Sequence, residues 1–168
     1  AALSATNISA LDATQVGALS ATQLAALSAT NLSALDATTT GALTVTQVRG
    51  LTTTQMAGLS TTDIGELTST QVGALSSTQL GALTPTALSA LDATQVGALT
   101  TTQLRGLTTT QVAGISTTDI GELSSTQIGS LATTQLAALS STNVSALDAT
   151  QVGTLSAAQV RTLTSTQL

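Results

Sequence analysis

The stretch Leu19-Ser20-Ala21-Thr22-Gln23-Leu24-Ala25-Ala26 holds the whole sequence in miniature. Leu recurs every eight residues from Leu3 to Leu163, with Ile115 the one substitute, so the 168 residues amount to 21 octads. With that Leu as position a, position b is Ser, Thr or Asp in 20 octads and d is Thr in 20. Position e is Gln in 14 octads, Asn at Asn7, Asn31 and Asn143, and Asp at Asp63 and Asp119. Position f is Val, Ile, Leu or Met except at Thr40. Positions g and h are mostly Ala, Gly or Ser.

An eight-residue period fits neither a long helix nor a regular strand. At about 100° per residue, eight residues overshoot two turns by roughly 80°, so the Leu column would wind around a continuous helix instead of forming a stripe. In a strand, a and f stand an odd number of residues apart and would face opposite sides. A helix start, in contrast, fits every column. Ser, Thr and Asp at b are N-cap residues, whose side-chain oxygen accepts an orphan backbone N–H. Gln, Asn or Asp three residues on, at e, is the reciprocal partner of a capping box. The aliphatic a and f positions are then the two ends of a hydrophobic staple. The single proline, Pro85, falls on c, the first helical position, where proline is favoured. Small residues at g and h suit a short helix that ends before the next cap and lets neighbouring coils approach closely.

The columns therefore predict an all-α repeat solenoid of very short helices, one per octad, with a and f lining its axis. A β-solenoid is the competitor, because Thr, Val and Ile favour strands. Disorder would need a lower hydrophobic share than the 42% present. One octad buries too little to offset the ordering of its own backbone, so stability must accumulate through neighbours.

A longer period overlies the octads. Arg49, Arg105 and Arg161 recur seven octads apart, as do Asp36, Asp92 and Asp148, Asp63 and Asp119, and Glu66 and Glu122. Residues 1–168 thus read as one array of three 56-residue super-repeats, the product of block duplication or of a partner that sees one side of the array. No initiator Met opens the chain, which suggests an excerpt of a longer array or a processed chain.

Composition narrows function by exclusion. Without Cys or His there is no disulfide framework, thiolate or imidazole metal site, or Ser-His-Asp triad. Three Arg, no Lys and a net charge of −5 argue against nucleic acid. Without aromatic residues there is no stacking platform for bases or sugars. No apolar run is long enough to span a membrane. No catalytic constellation, cofactor site, metal site or small-molecule substrate is expected.

The charged residues are the candidate sites. Arg49, Arg105 and Arg161 lie at g, where a cation suits the dipole of its own helix C-terminus, or could bridge to acids of a neighbouring chain. Asp63 with Glu66 and Asp119 with Glu122 form Asp-Ile-Gly-Glu. These pairs could hold a cation weakly, or the Asp residues fill the capping column while the Glu residues are solvated. These seven are the inter-chain contact candidates. Asp12, Asp36, Asp92 and Asp148 are expected to cap. Thr at d is either a ladder between coils or an exposed array that orders water. Thr40, beside Thr39, marks a weak octad.

Two resemblances follow from these motifs. Leu83-Thr84-Pro85-Thr86-Ala87-Leu88 is similar to the helix start of TAL-effector repeats, but the 34-residue period, base-reading residues and basic character are missing, so DNA reading is not implied. Across all octads the chain resembles the Leu-Ser/Thr-x-Thr-Gln-Val/Ile-x-Ala tracts of very long bacterial surface, secreted or adhesin-like proteins. That resemblance implies an extracellular or cell-surface fibre, stalk or spacer. Its partners would be copies of itself or neighbouring repeats. The alternative is an adhesin, ice-binding or other surface-binding module using the Thr and Gln ladders.

Overall fold

In the computed structural model, residues 4–168 are described; Leu3, the first a position, lies outside them. The described residues form twenty α-helices of four to six residues, from α1 (Ala5–Ser9) to α20 (Ala157–Val160), and no strand. Every helix opens at c, as the capping register requires. Thr52 shows the pattern: its backbone is extended (φ −78°, ψ 157°) and its Oγ1 accepts from the Gln55 N–H at 3.2 Å. The Gln55 Oε1 in turn accepts from the Thr52 N–H at 2.9 Å. Pro85 takes the first helical position of its octad. At Ala132 the cap has no side-chain acceptor, and only the Gln135 half of the box remains, at 2.9 Å.

The helix ends differ from a glycine-capped stop. No described residue has a positive φ, glycine included. Sixteen of the described helices end on a right-handed residue at g or h, and four end directly on an extended Leu at a, as at Leu59 (φ −69°, ψ 137°). Glycine at g and h serves close approach instead. A Cβ on Gly58 would come within 2.5 Å of the Ala29 Cβ, whereas one on Gly97 would meet nothing within 4 Å. Both close their helices, α7 (Thr53–Gly58) and α12 (Ala93–Gly97). Gly58→Ala is therefore expected to cost about 1–3 kcal/mol by overpacking. Gly97→Ala should stabilise by up to about 1 kcal/mol through lost backbone entropy of the unfolded chain. Urea midpoints of the two variants check the opposite signs.

Redirection at a–b winds the short helices into a solenoid in which helices three apart pack together. Thus α4 (Ala29–Leu32) lies on α7, and α14 (Thr109–Ala113) lies on α17 (Thr133–Ala138). The f side chains line the axis, and Val16, Leu24, Leu80, Ile128 and Leu136 are fully buried. The a column is buried from Leu35 to Leu107, and partly so at Leu11, Leu19 and Leu27. In the last octads it is f that emerges, with Val152 and Val160 exposed. The a residues Leu147, Leu155 and Leu163 are likewise only partly buried there, so the f column is covered by the following turn and the a column by the turns on both sides.

Candidate functional site

The chemistry that joins one turn to the next is carried by the Gln column. Its Nε2 donates backwards to two carbonyls, those of f and a on the preceding turn. Gln55 reaches the Leu24 and Leu27 carbonyls at 2.8 and 2.9 Å, and Gln111 reaches those of Leu80 and Leu83 at 2.9 and 2.8 Å. The sequence separations are 31 and 28 residues each time. One Gln therefore closes the capping box through Oε1 and ties two turns through Nε2, while nearly wholly buried (2% exposed for Gln55 and Gln111). A turn spans about 28 residues, or three and a half octads. Asn143, one methylene shorter, reaches a single carbonyl, that of Ile115, at 2.8 Å.

This ladder corrects two expectations. Thr at d is not the bridge between coils; every described d side chain is exposed on the outside of the solenoid. The Gln column, part of the binding ladder in the surface-binding alternative, is turned inward over most of the array, while the hydroxyls of b and d, and those of c at Thr53, Thr61, Thr109, Thr117 and Ser141, are presented outward.

The pitch also explains the super-repeat. Seven octads are two turns, so every residue of that period returns to the same flank. It also brings exceptions from different octads together. Asp63 stands where a Gln would donate to the carbonyls of Leu32 and Leu35, and a carboxylate cannot donate. Instead Asp63 accepts from the Ser33 hydroxyl at 2.8 Å and from the Ser60 N–H at 2.7 Å. Ser33 and Ser89 stand seven octads apart, like Asp63 and Asp119. Small, partly open hollows lie at both places, one bordered by Leu35, Thr40 and Asp63, the other by Ser89, Leu91 and Asp119. In the second place the Ser89 hydroxyl donates instead to the carbonyls of Pro85 and Gly114, at 3.1 and 3.2 Å.

The Glu residues are not simply solvated. Oε2 of Glu66 and of Glu122 is buried without a hydrogen-bond partner. Burial, then the nearby Asp63, push the Glu66 carboxyl above its ordinary value of 4.5; a hydrogen bond from the Thr40 hydroxyl opposes this, and Asp36 adds to it. Thr40, the exception in the apolar f column, thus faces Glu66 across one turn. Asp36 is shifted the other way, held below its ordinary 3.8 by the Thr39 N–H, with the Thr39 hydroxyl second.

These shifts have opposite consequences with pH. A raised carboxyl contributes stability that is complete below 4.5 and lost as pH rises through its folded value. The lowered Asp36 contributes above 3.8 and loses that contribution as pH falls. Glu66→Gln is accordingly expected to raise the melting temperature at pH 7, within the ~0–1 kcal/mol typical of screened charges. The gain should vanish below about pH 4, where the wild-type carboxyl is protonated. Thermal melts of both chains across that range check this.

Arg49 and Arg105 lie in the last turns of their own helices and also reach another helix end. Each donates through Nε to the C-terminal end of the third helix on: Arg49 to the Ala74 carbonyl of α9 (Ser69–Ala74) at 3.2 Å, and Arg105 to the Ser130 carbonyl that follows α16 (Ser125–Gly129) at 2.8 Å. Such carbonyls carry the negative end of the helix dipole. The equivalent carbonyl for Arg161 would lie past Leu168. All three Arg are exposed. Asp12, Asp36, Asp92 and Asp148 cap as expected; Asp92 Oδ1, for example, accepts from the Gln95 N–H at 2.8 Å.

Short capped helices, a two-column aliphatic axis and an amide ladder between turns define a helical repeat solenoid. The chain belongs to the ALTTAQ repeat family, whose model matches residues 46–77, 72–109 and 101–133, together more than half of its length. Five of the family's six letters stand in Ala98-Leu99-Thr100-Thr101-Thr102-Gln103, with Thr102 in place of the second Ala, a stretch that runs from h through the N-cap to the ladder Gln. Comparison with curated proteins finds no match. Comparison with solved structures finds none either.

Proposed function

We propose that the chain is a structural element, a fibre, stalk or spacer whose length is set by the number of octads, working outside the cell or at a bacterial surface. The observation that carries this reading is the Gln ladder. Its bonds join each turn to the one before at a constant 28 and 31 residues, so each added turn repeats the same interface. A nearest-neighbour array of this kind extends without changing its cross-section. No catalytic role is assigned to it. Electron microscopy of chains carrying one, two and three copies of the 168-residue array tests it. Rod length should rise in proportion to copy number at constant width. Compact particles whose width grows with copy number would overturn the reading.

The exposed Thr column favours a second reading, a surface-binding module that presents regularly spaced hydroxyls to ice or to a glycan. Thermal hysteresis, or retention on a glycan array, that falls when d residues of one flank are changed to Ala would favour this over a spacer.

A further inference from the structure

The length of the turn sorts the charges by side. Asp63 stands half a turn after Arg49, and Asp36 lies close to half a turn before it. Asp36 and Glu66, little more than one turn apart, are by contrast near neighbours, for Asp36 contributes to the electrostatic environment of Glu66. The two-turn period repeats this arrangement at Asp92, Arg105, Asp119 and Glu122, and again at Asp148 and Arg161. Asp12, three octads before Asp36, falls toward the acidic flank as well. On the opposite flank, Arg49, Ser76 and Thr102 border one open groove from successive turns. One long edge of the solenoid is therefore acidic, the opposite edge carries all three cations, and the surface between them is neutral.

We propose that these edges are a docking surface for a second copy of this chain, with the Arg edge of one solenoid laid along the acidic edge of the next. Both edges repeat every two turns, so Arg49, Arg105 and Arg161 can meet Asp36, Asp92 and Asp148 of a side-by-side copy in a single axial register. The groups on both sides are available. The three Asp residues are exposed and cap through Oδ1, which leaves Oδ2 for a partner. Arg49 and Arg105 are anchored through Nε, which leaves their terminal nitrogens for a partner. Single exposed ion pairs are weak, but pairs repeated at matched spacing act together. Because each copy has one edge of each sign, the contact is heterologous and propagates into sheets or bundles. This goes beyond the spacer reading, which requires only single rods.

Small-angle scattering at low and high ionic strength tests the proposal. The wild-type chain at low salt should show a mass per unit length about twice or more that of a single solenoid, falling to one at high salt as charges are screened. R49Q/R105Q/R161Q should give single rods at low salt, and R49K/R105K/R161K should still associate. D36S/D92S/D148S should also give single rods, and Ser keeps the N-caps, as it does at Ser20 and Ser76. Circular dichroism matched to wild type confirms that each variant has folded. Wild-type chains that stay single at low salt overturn the proposal and leave the spacer reading intact. So do bundles that persist in both neutral triple variants. Failure of the spacer reading would instead appear as rod length independent of copy number.

Discussion

Replacing Gln127 with Asp is expected to cost about 2–4 kcal/mol at pH 7, because it leaves buried acceptors facing acceptors. The Gln127 Nε2 donates to the carbonyls of Val96 and Leu99 at 3.2 and 2.8 Å, and its Oε1 accepts from the Ser124 N–H at 2.7 Å. The Asp can still accept in the box but cannot donate across the turn. Its own desolvation adds to the loss and raises its pKa, so the cost should shrink as pH falls through that raised value. The chain already contains the compensating device. Ser33 donates to Asp63 across the same kind of junction, from position g. The corresponding g residue for Gln127 is Gly97, where a Cβ meets nothing within 4 Å. Gly97→Ser in the Gln127→Asp background is therefore expected to restore about 1 kcal/mol, one net hydrogen bond. A double-mutant cycle by urea denaturation checks this: strictly additive single effects would show that the ladder does not join these two turns.

Leu80→Ala is expected to cost about 2–5 kcal/mol, the usual range for emptying a fully buried Leu site. Leu80 is 0% exposed, in α10 (Ser77–Gly81), which packs between α7 and α13 (Thr101–Arg105). In a nearest-neighbour array the damage should be local. Amide hydrogen exchange should quicken in α7, α10 and α13 and remain unchanged in α1 and α20. Uniform loss of protection over all helices would instead indicate one global cooperative unit.

Much of the local structure was legible because each octad carries redundant instructions. The hydroxyl at b, the amide at e, the staple at a and f, and Pro85 at c all specify the same helix start, and every described helix begins there. What touches what between turns was harder to read, because near-identical repeats carry almost no information on which copies meet. Only the exceptions break that degeneracy. Ser33 with Asp63, and Thr40 with Glu66, are substitutions in different octads that meet one turn away. The seven-octad period was visible, but its meaning as two turns depends on a pitch that only the Gln contacts reveal. The amide was missed as a bridge because its Oε1 already had a role in the capping box; the free Nε2, with two donor protons and a buried setting, was the signal that could have led to it. Thr at d attracted the bridging role for its regularity alone, although the second helical position points it outward.

The central claim is that the backbone returns upon itself every 28 residues, and pulsed dipolar spectroscopy tests that most directly. Spin labels at Thr109 and Ala137 stand one full turn apart in sequence, on helices α14 and α17 that pack together. Labels at Thr109 and Gly121 are less than half a turn apart, on different flanks of the same turn. The pair more distant in sequence should be the closer in space, with backbones about 10 Å apart as for packed helices. A distance that grows with sequence separation would contradict the solenoid itself.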